Sequence, residues 1–336
     1  MERILIVTVN WLGDALMTTP VFKAIKDQFP SSYLGVMVPE RVRGVFDDNP
    51  FIDEVIVFDE KNNQKGLIAK LRFIKFLKEK KFDTAFLIHR SATKAIICWL
   101  SGISLRIGYK RLKNLFFLTK TVSVPQGFLH RQDYYLNLFE SQDIVINEKI
   151  PTFFIDRKTQ QQVDVSLQVL KQKHSLIVGI NPSANWKLKR WPAKNFSRLA
   201  DFLIKKHRAA IIFIGAKDQR SIVDEVIKNM EFKAYDFCGK TSLKELGALI
   251  KNSELFISND SGPAHLAASL GVTTIALFGP TARELTAPRG RKVIIIQKDF
   301  DCKIPCYDLN CLNNKCMSNI TVEEVAAAAA KQLSCG

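Results

Sequence analysis

Asp260, Ser261, Gly262, Pro263 and His265 lie between an apolar run, LFIS (255–258), and an alanine-rich stretch ending at Gly271. A plain turn between a buried strand and a buried helix needs one or two small polar residues, not this many. The first amides of a helix have no acceptor within it, and the helix dipole adds partial positive charge beside them. A turn of this make-up therefore suits an anion, here a diphosphate. Gly262 lets a ligand approach the backbone. Pro263 fits a first helical turn, where its missing N–H costs nothing. Asp260 or Ser261 also serves as a simple helix cap. His265 reads either as a core or capping histidine or as a donor to phosphate.

Two further stretches have the same strand–turn–helix character. In NPSANWKLKRWP (181–192), Ser183, Asn185 and Lys189 offer donors near a strand end. Lys189 is a natural counter-ion for a departing phosphate. In VNWLGDALMTTP (9–20), Gly13 and Asp14 follow the first strand. Asp14 reads as a helix N-cap or as a general base, which must reach the hydroxyl it deprotonates. No GxSxG, HExxH or Walker A motif is present, and no GxGxxG follows the first strand.

The elements that must position these residues alternate along the chain. Short β-branched runs (3–9, 33–39, 55–58, 84–89) are separated by helical patterns, and LRIGY (105–109) is a further strand. A long polar connection, 147–175, interrupts the series. It restarts with strands around 176–182, 209–216, 255–260, 273–280 and 293–297, and ends in a helix from 321. Strand–helix alternation predicts an α/β fold with mostly parallel sheets. The outline is two doubly wound, Rossmann-like domains facing across a cleft, and ligands of such sheets sit at the carboxyl ends of the strands.

The 336 residues suit two domains, and 47% hydrophobic with 24% charged residues suits a globular protein with a sizeable core. No apolar run reaches the roughly 20 residues of a membrane span. The opening MERILIVTVNWLGD does not read as a signal peptide, so a cytoplasmic location is expected. The net charge of +16 points to an anionic partner. Zinc-finger spacing, RNP-like aromatics and a basic tail are lacking, which argues against nucleic acid. Residues 61–81 hold eight Lys/Arg and one acid, and residues 105–120 hold five and none. These are either solvated faces or a surface for anionic lipid headgroups. Cys302, Cys306, Cys311 and Cys316 cluster late, at spacings unlike the common CxxC zinc pattern. A metal, a disulfide pair or reduced structural thiols all remain open for them.

The three stretches together resemble glycosyltransferase family 9, the ADP-heptose:lipopolysaccharide heptosyltransferases. The match runs through ILIVTVNWLGDALMTTPVFKAIKDQFP, NPSANWKLKRWP and ISNDSGPAHLAASLGVTTIALFGPT, with FDTAFLIHRSATKAIICWLSGISLRIGY similar as well. The late cysteines are like tails in a subset resembling heptosyltransferase II. The resemblance implies a GT-B architecture: an acceptor domain (1–165), a nucleotide-sugar domain (166–320) and a final helix (321–336) packing back toward the first domain. It implies Asp14 as catalytic base and Lys189 on the ADP phosphates, with Gly13, Ser183 and Asn185 nearby. Asp260, Ser261, Gly262 and His265 would hold diphosphate and sugar, and Thr241 and Leu243 would flank the adenine. The implied reaction inverts the anomeric carbon of ADP-heptose, with Kdo or heptose on lipid A as acceptor. No cofactor is obligatory in it, and Mg is admitted without being required. The enzyme is expected as a peripheral protein on the cytoplasmic face of the bacterial inner membrane. The alternatives are a GT-B enzyme using another nucleotide sugar, an epimerase of similar architecture, or a non-catalytic polyanion-binding protein.

Overall fold

The computed structural model describes residues 2–334 apart from 61, 112, 300, 301, 307 and 309. The chain forms two compact units, Met1–Phe154 and Ile155–Gly336. The first holds β1 (Arg3–Val7), β2 (Tyr33–Val38), β3 (Glu54–Val57), β4 (Thr84–Leu87), β5 (Leu105–Tyr109) and β6 (Lys120–Val122). The second holds β7 (Ile177–Asn181), β8 (Ala210–Phe213), β9 (Tyr235–Asp236), β10 (Leu255–Asn259), β11 (Thr273–Phe278) and β12 (Val293–Gln297). Every neighbouring pair is parallel. The central strands read as unbroken apolar runs because parallel sheets are covered on both faces. Ile4, Leu5, Ile6 and Val7 are all fully buried.

The sheet orders are β3-β2-β1-β4-β5-β6 and β12-β11-β10-β7-β8-β9. Counted from each unit's own first strand, both are the 3-2-1-4-5-6 order of a dinucleotide-binding sheet. The chain direction across the sheet reverses between β1 and β4, and again between β7 and β10. Such a reversal opens a crevice at the carboxyl ends of the two strands. The expected α/β, doubly wound architecture is present in both units.

The helices follow their apolar spacing. In Ala193–His207, Phe196, Leu199, Ala200 and Leu203 are buried, at i, i+3, i+4 and i+7. The final helix, Val322–Ser334, sends Val322, Val325, Ala326 and Ala329 into the second unit's core. Residues 335 and 336 of the expected 321–336 helix lie outside the described residues. The stretch read as a polar connection carries two helices, Arg157–Ser166 and Gln168–Lys173. Val163, Leu167 and Leu170 from it pack with Ala248 and Leu249 of the second unit. The compact units accordingly part at 154/155, ahead of 165. Strands β6 and β9, three and two residues long, carried too little pattern to be read.

Candidate active site

In the second unit the expected residues gather where β7 meets β10. Asn181 ends β7, and its Nδ2 lies 3.1 Å from Ser258 Oγ, 2.9 Å from Ser261 Oγ and 3.1 Å from the Ser183 carbonyl. Ser183 Oγ is 2.7 Å from Asn181 Oδ1 and 2.6 Å from Gln219 Oε1. A hydroxyl has one proton, so it serves one of these at a time. Asn259 ends β10; its Oδ1 accepts from the Trp191 amide at 3.0 Å and its Nδ2 donates to the Pro182 carbonyl at 2.9 Å. These bonds join the 181–191 loop and the 259–261 turn into one surface.

Lys189 closes a short 3-10 turn and donates from Nζ to Asp260 Oδ2 at 2.7 Å. Thr281, just past β11, donates to the same oxygen at 2.6 Å. The Asp260 side chain is 5% exposed and that of Lys189 21%, so the pair is largely withdrawn from water. Ser261 is the N-cap of the Gly262–Ser269 helix but makes no side-chain cap bond. Its hydroxyl is turned to Asn181 and Ser258 instead. Ser261 therefore holds the cap position without its hydroxyl satisfying a helix amide, and the Asp260 carboxylate is engaged by Lys189 and Thr281. Ala264 N reaches Ser261 O at 3.1 Å and Pro263 has no N–H, so the helix itself does not use the amides of Ser261 and Gly262.

The other expected residues are more dispersed. His265 is buried within the same helix, and Asn185 is exposed at the crown of its loop. Thr241 and Leu243 are half-buried after β9, where Ser242 and Glu245 form a capping box for the Leu243–Lys251 helix. Gly239, at φ +68°, sits against the loop after β8: a Cβ there would stand 2.9 Å from Lys217 Cα.

In the first unit Asp14 lies in the first turn of the Leu12–Met17 helix, just after Gly13. The N-cap is Trp11, so Asp14 is not the cap. The Tyr135 hydroxyl, from the Arg131–Glu140 helix, donates to Asp14 Oδ1 at 2.8 Å. Burial first, and then the carboxylate, push the Tyr135 pKa upward, so the phenol keeps its proton and holds that oxygen. Beside it, Asn10 Nδ2 approaches His89 Nε2 at 2.8 Å and ties the end of β1 to the end of β4. Burial, then the charges of Lys94 and Arg41, hold the His89 pKa down to about 4. The neutral ring accepting at Nε2 carries its proton on Nδ1, a buried atom without a partner among the described residues. Lys94 is 4% exposed, its Nζ lies 3.3 Å from the Thr8 carbonyl, and burial lowers its pKa to about 8.

The sequence alone does not single out Asn10, His89, Lys94 and Tyr135, nor Asn181, Gln219 and Thr281. Asn10, His89 and Asn181 did carry a signal, as polar residues ending apolar strand runs. Cys302, Cys306, Cys311 and Cys316 line one pocket with Leu188 and Pro280, and all four are free thiols. Among the described residues no group of three or more His, Cys, Asp or Glu is arranged to hold a metal ion.

The family model for glycosyltransferase family 9 (heptosyltransferase) matches residues 70–317. Lipooligosaccharide heptosyltransferase 2 of Haemophilus influenzae is 29% identical over 307 residues, 88% of each chain. The crystal structure of a family 9 glycosyltransferase from Veillonella parvula superposes with a TM-score of 0.91 at 25% identity, covering 100% of this chain and 98% of that one. The E. coli ADP-heptose lps heptosyltransferase II shares the fold, with a TM-score of 0.83 at 20% identity over 99% and 98% of the two chains. A match over most of the length, in sequence and in the arrangement of both sheets, leaves one assignment: the chain belongs to glycosyltransferase family 9, the heptosyltransferases.

Proposed function

We propose that this glycosyltransferase moves a heptose from ADP-heptose to the inner core of lipopolysaccharide, onto Kdo or heptose carried by lipid A. The observation that carries the donor half is the uncapped start of the Gly262–Ser269 helix. Its cap hydroxyl is committed to Asn181 and Ser258, leaving amides for a diphosphate. Asp260 holds the Lys189 ammonium through one proton and leaves two for phosphate oxygens. Charge that grows on the departing diphosphate then meets a fixed cation and fixed dipoles, so a metal is not required for that task. Ser183 and Asn185 border this seat, Thr241 and Leu243 flank the adenine, and His265 backs the sugar side.

Asp14 is the base in this scheme. Tyr135 fixes its carboxylate, which takes the proton of the acceptor hydroxyl as that oxygen attacks the anomeric carbon. One displacement inverts the centre. The acceptor is anionic and lipid-borne, which suits the +16 charge. Among the described residues no helix is long and apolar enough to cross a membrane, and a peripheral position on the cytoplasmic face of the inner membrane fits that reading.

The test is ADP release and sugar transfer with purified enzyme, ADP-heptose and a Kdo–lipid A or heptosylated acceptor. It is paired with thermal unfolding in ADP, UDP and GDP. Stabilisation by ADP alone, with transfer, is expected. Stabilisation by UDP or GDP instead overturns the donor, and binding of ADP without transfer to either acceptor overturns the acceptor class.

A further inference from the structure

Large apolar side chains stand in water on three neighbouring elements of the first unit. On the Leu67–Glu79 helix, Leu67 is 74% exposed, Ile68 68% and Leu71 54%. Trp99 and Leu100, at the end of the Ala92–Leu100 helix, are about half exposed, and Phe116 is 89% exposed in the short Leu115–Phe117 turn. The three elements touch. Ser101 Oγ donates to the Ile74 carbonyl at 3.3 Å, and the Trp99 and Phe117 rings lie 5.6 Å apart. The core does not need these residues, because Phe73 and Leu77 on the opposite face of the first helix already fill it. Scattered exposed apolar residues need no explanation, but six gathered on adjoining elements do.

The same elements carry positive charge. Arg72, Lys75 and Lys78 are exposed on the first helix, with Lys110, Arg111 and Lys113 beside the Phe116 turn. An apolar strip framed by lysine and arginine, with aromatics at its margin, matches the boundary layer of an anionic bilayer. A protein partner would have to supply a large acidic rim around an apolar centre, whereas a lipid surface offers both at once.

We infer that this face docks on anionic lipid by inserting Leu67, Ile68, Leu71 and Phe116 below the headgroups, with the basic residues at headgroup level. The inference rests on the reading of a lipid-borne acceptor. It adds an apolar contribution to what charge alone would supply.

The experiment uses the full chain and flotation with phosphatidylcholine vesicles, with and without phosphatidylglycerol, at low and high salt. The variant Ile68→Gln/Leu71→Gln/Phe116→Gln removes apolar surface and leaves every charge in place. Wild type should float with the anionic vesicles at low salt and partly keep its binding at high salt. The variant should bind at least about tenfold more weakly and lose the salt-resistant fraction. Its transfer to a deacylated, water-soluble acceptor should equal wild type. Equal flotation of variant and wild type overturns the inference. So does loss of transfer to the soluble acceptor, which would place the patch in the acceptor site. A wild-type dimer that the variant breaks in the absence of lipid would make the patch a self-interface and overturns it as well. Wild type that floats as described but transfers no heptose to either acceptor sinks the proposed reaction and leaves the docking face standing.

Discussion

Lys189→Met separates what the Lys189–Asp260 pair does for stability from what it does for the donor. Removing the ammonium leaves Asp260, 5% exposed, with the Thr281 hydroxyl as its remaining side-chain donor among the described residues. Exposed pairs contribute about 0–1 kcal/mol, and breaking a fully buried one costs about 3–5. With Lys189 21% exposed, the loss should fall between, at about 2–3 kcal/mol. For a unit of this size that lowers the unfolding midpoint by about 4–12 °C. Asp260→Asn should restore much of the stability when added to Lys189→Met, because no uncompensated charge then remains. Donor binding should not return with it. A lost charge-assisted contact to phosphate is worth about 1.5–3 kcal/mol, or a ten- to 150-fold rise in the ADP dissociation constant. Calorimetric titration and thermal unfolding of wild type, both single variants and the double variant give the full cycle. If the double variant regains ADP affinity along with stability, Lys189 is a structural brace and does not touch the diphosphate.

Asp14→Asn should slow transfer by about two to four orders of magnitude while leaving ADP affinity near wild type; normal turnover of this variant removes Asp14 from the chemistry. His89, with its pKa held down to about 4 against an ordinary 6.5, binds its proton more readily in the unfolded chain. Folding stability that it supports is therefore present above about pH 6.5 and lost as pH falls toward 4. Wild type should lose about 1–3 kcal/mol relative to His89→Gln across that window, read by denaturant unfolding at several pH values; parallel profiles would show that the ring is not held neutral. Gly239→Ala forces a side chain into a left-handed φ and against Lys217 Cα. It should cost about 1–3 kcal/mol in unfolding free energy and weaken ADP binding, and an unaltered midpoint with unaltered ADP affinity would detach this loop from the nucleotide.

The central strands were legible because burial on both faces leaves a run such as ILIV with no polar interruption. The edge strands β6 and β9 were not, since they have three and two residues and β9's are both half exposed. The 157–173 helices were hidden by their composition: Gln and Lys dominate, and Val163, Leu167 and Leu170 are the few residues that show the packed face. Among the candidate residues, Asp14, Ser183, Lys189, Asp260 and Ser261 could be picked out because each sits where a strand gives way to a helix. Their partners could not. Tyr135 is 121 residues from Asp14 and Lys189 is 71 from Asp260, and no local pattern records a contact made only when the sheet closes. The direction of the Ser261 hydroxyl is equally non-local, because Asn181 decides it.

The repeated sheet order has a consequence for how this enzyme can be rebuilt. In each unit an asparagine at or just past the end of the first strand reaches the end of the fourth or the turn that follows it. Asn10 meets His89 across 79 residues, and Asn181 meets Ser258 across 77. Neither crevice exists in any shorter fragment, so a graft of isolated loops would carry the letters of a specificity without its geometry. Whole units are the natural currency of exchange: a chimera joined at 154/155 would trade one set of ligand-selecting turns and leave the other intact. On the proposed reading, with the acceptor on the first unit and the donor on the second, diversity in each can then accumulate separately, each half answering to its own sheet.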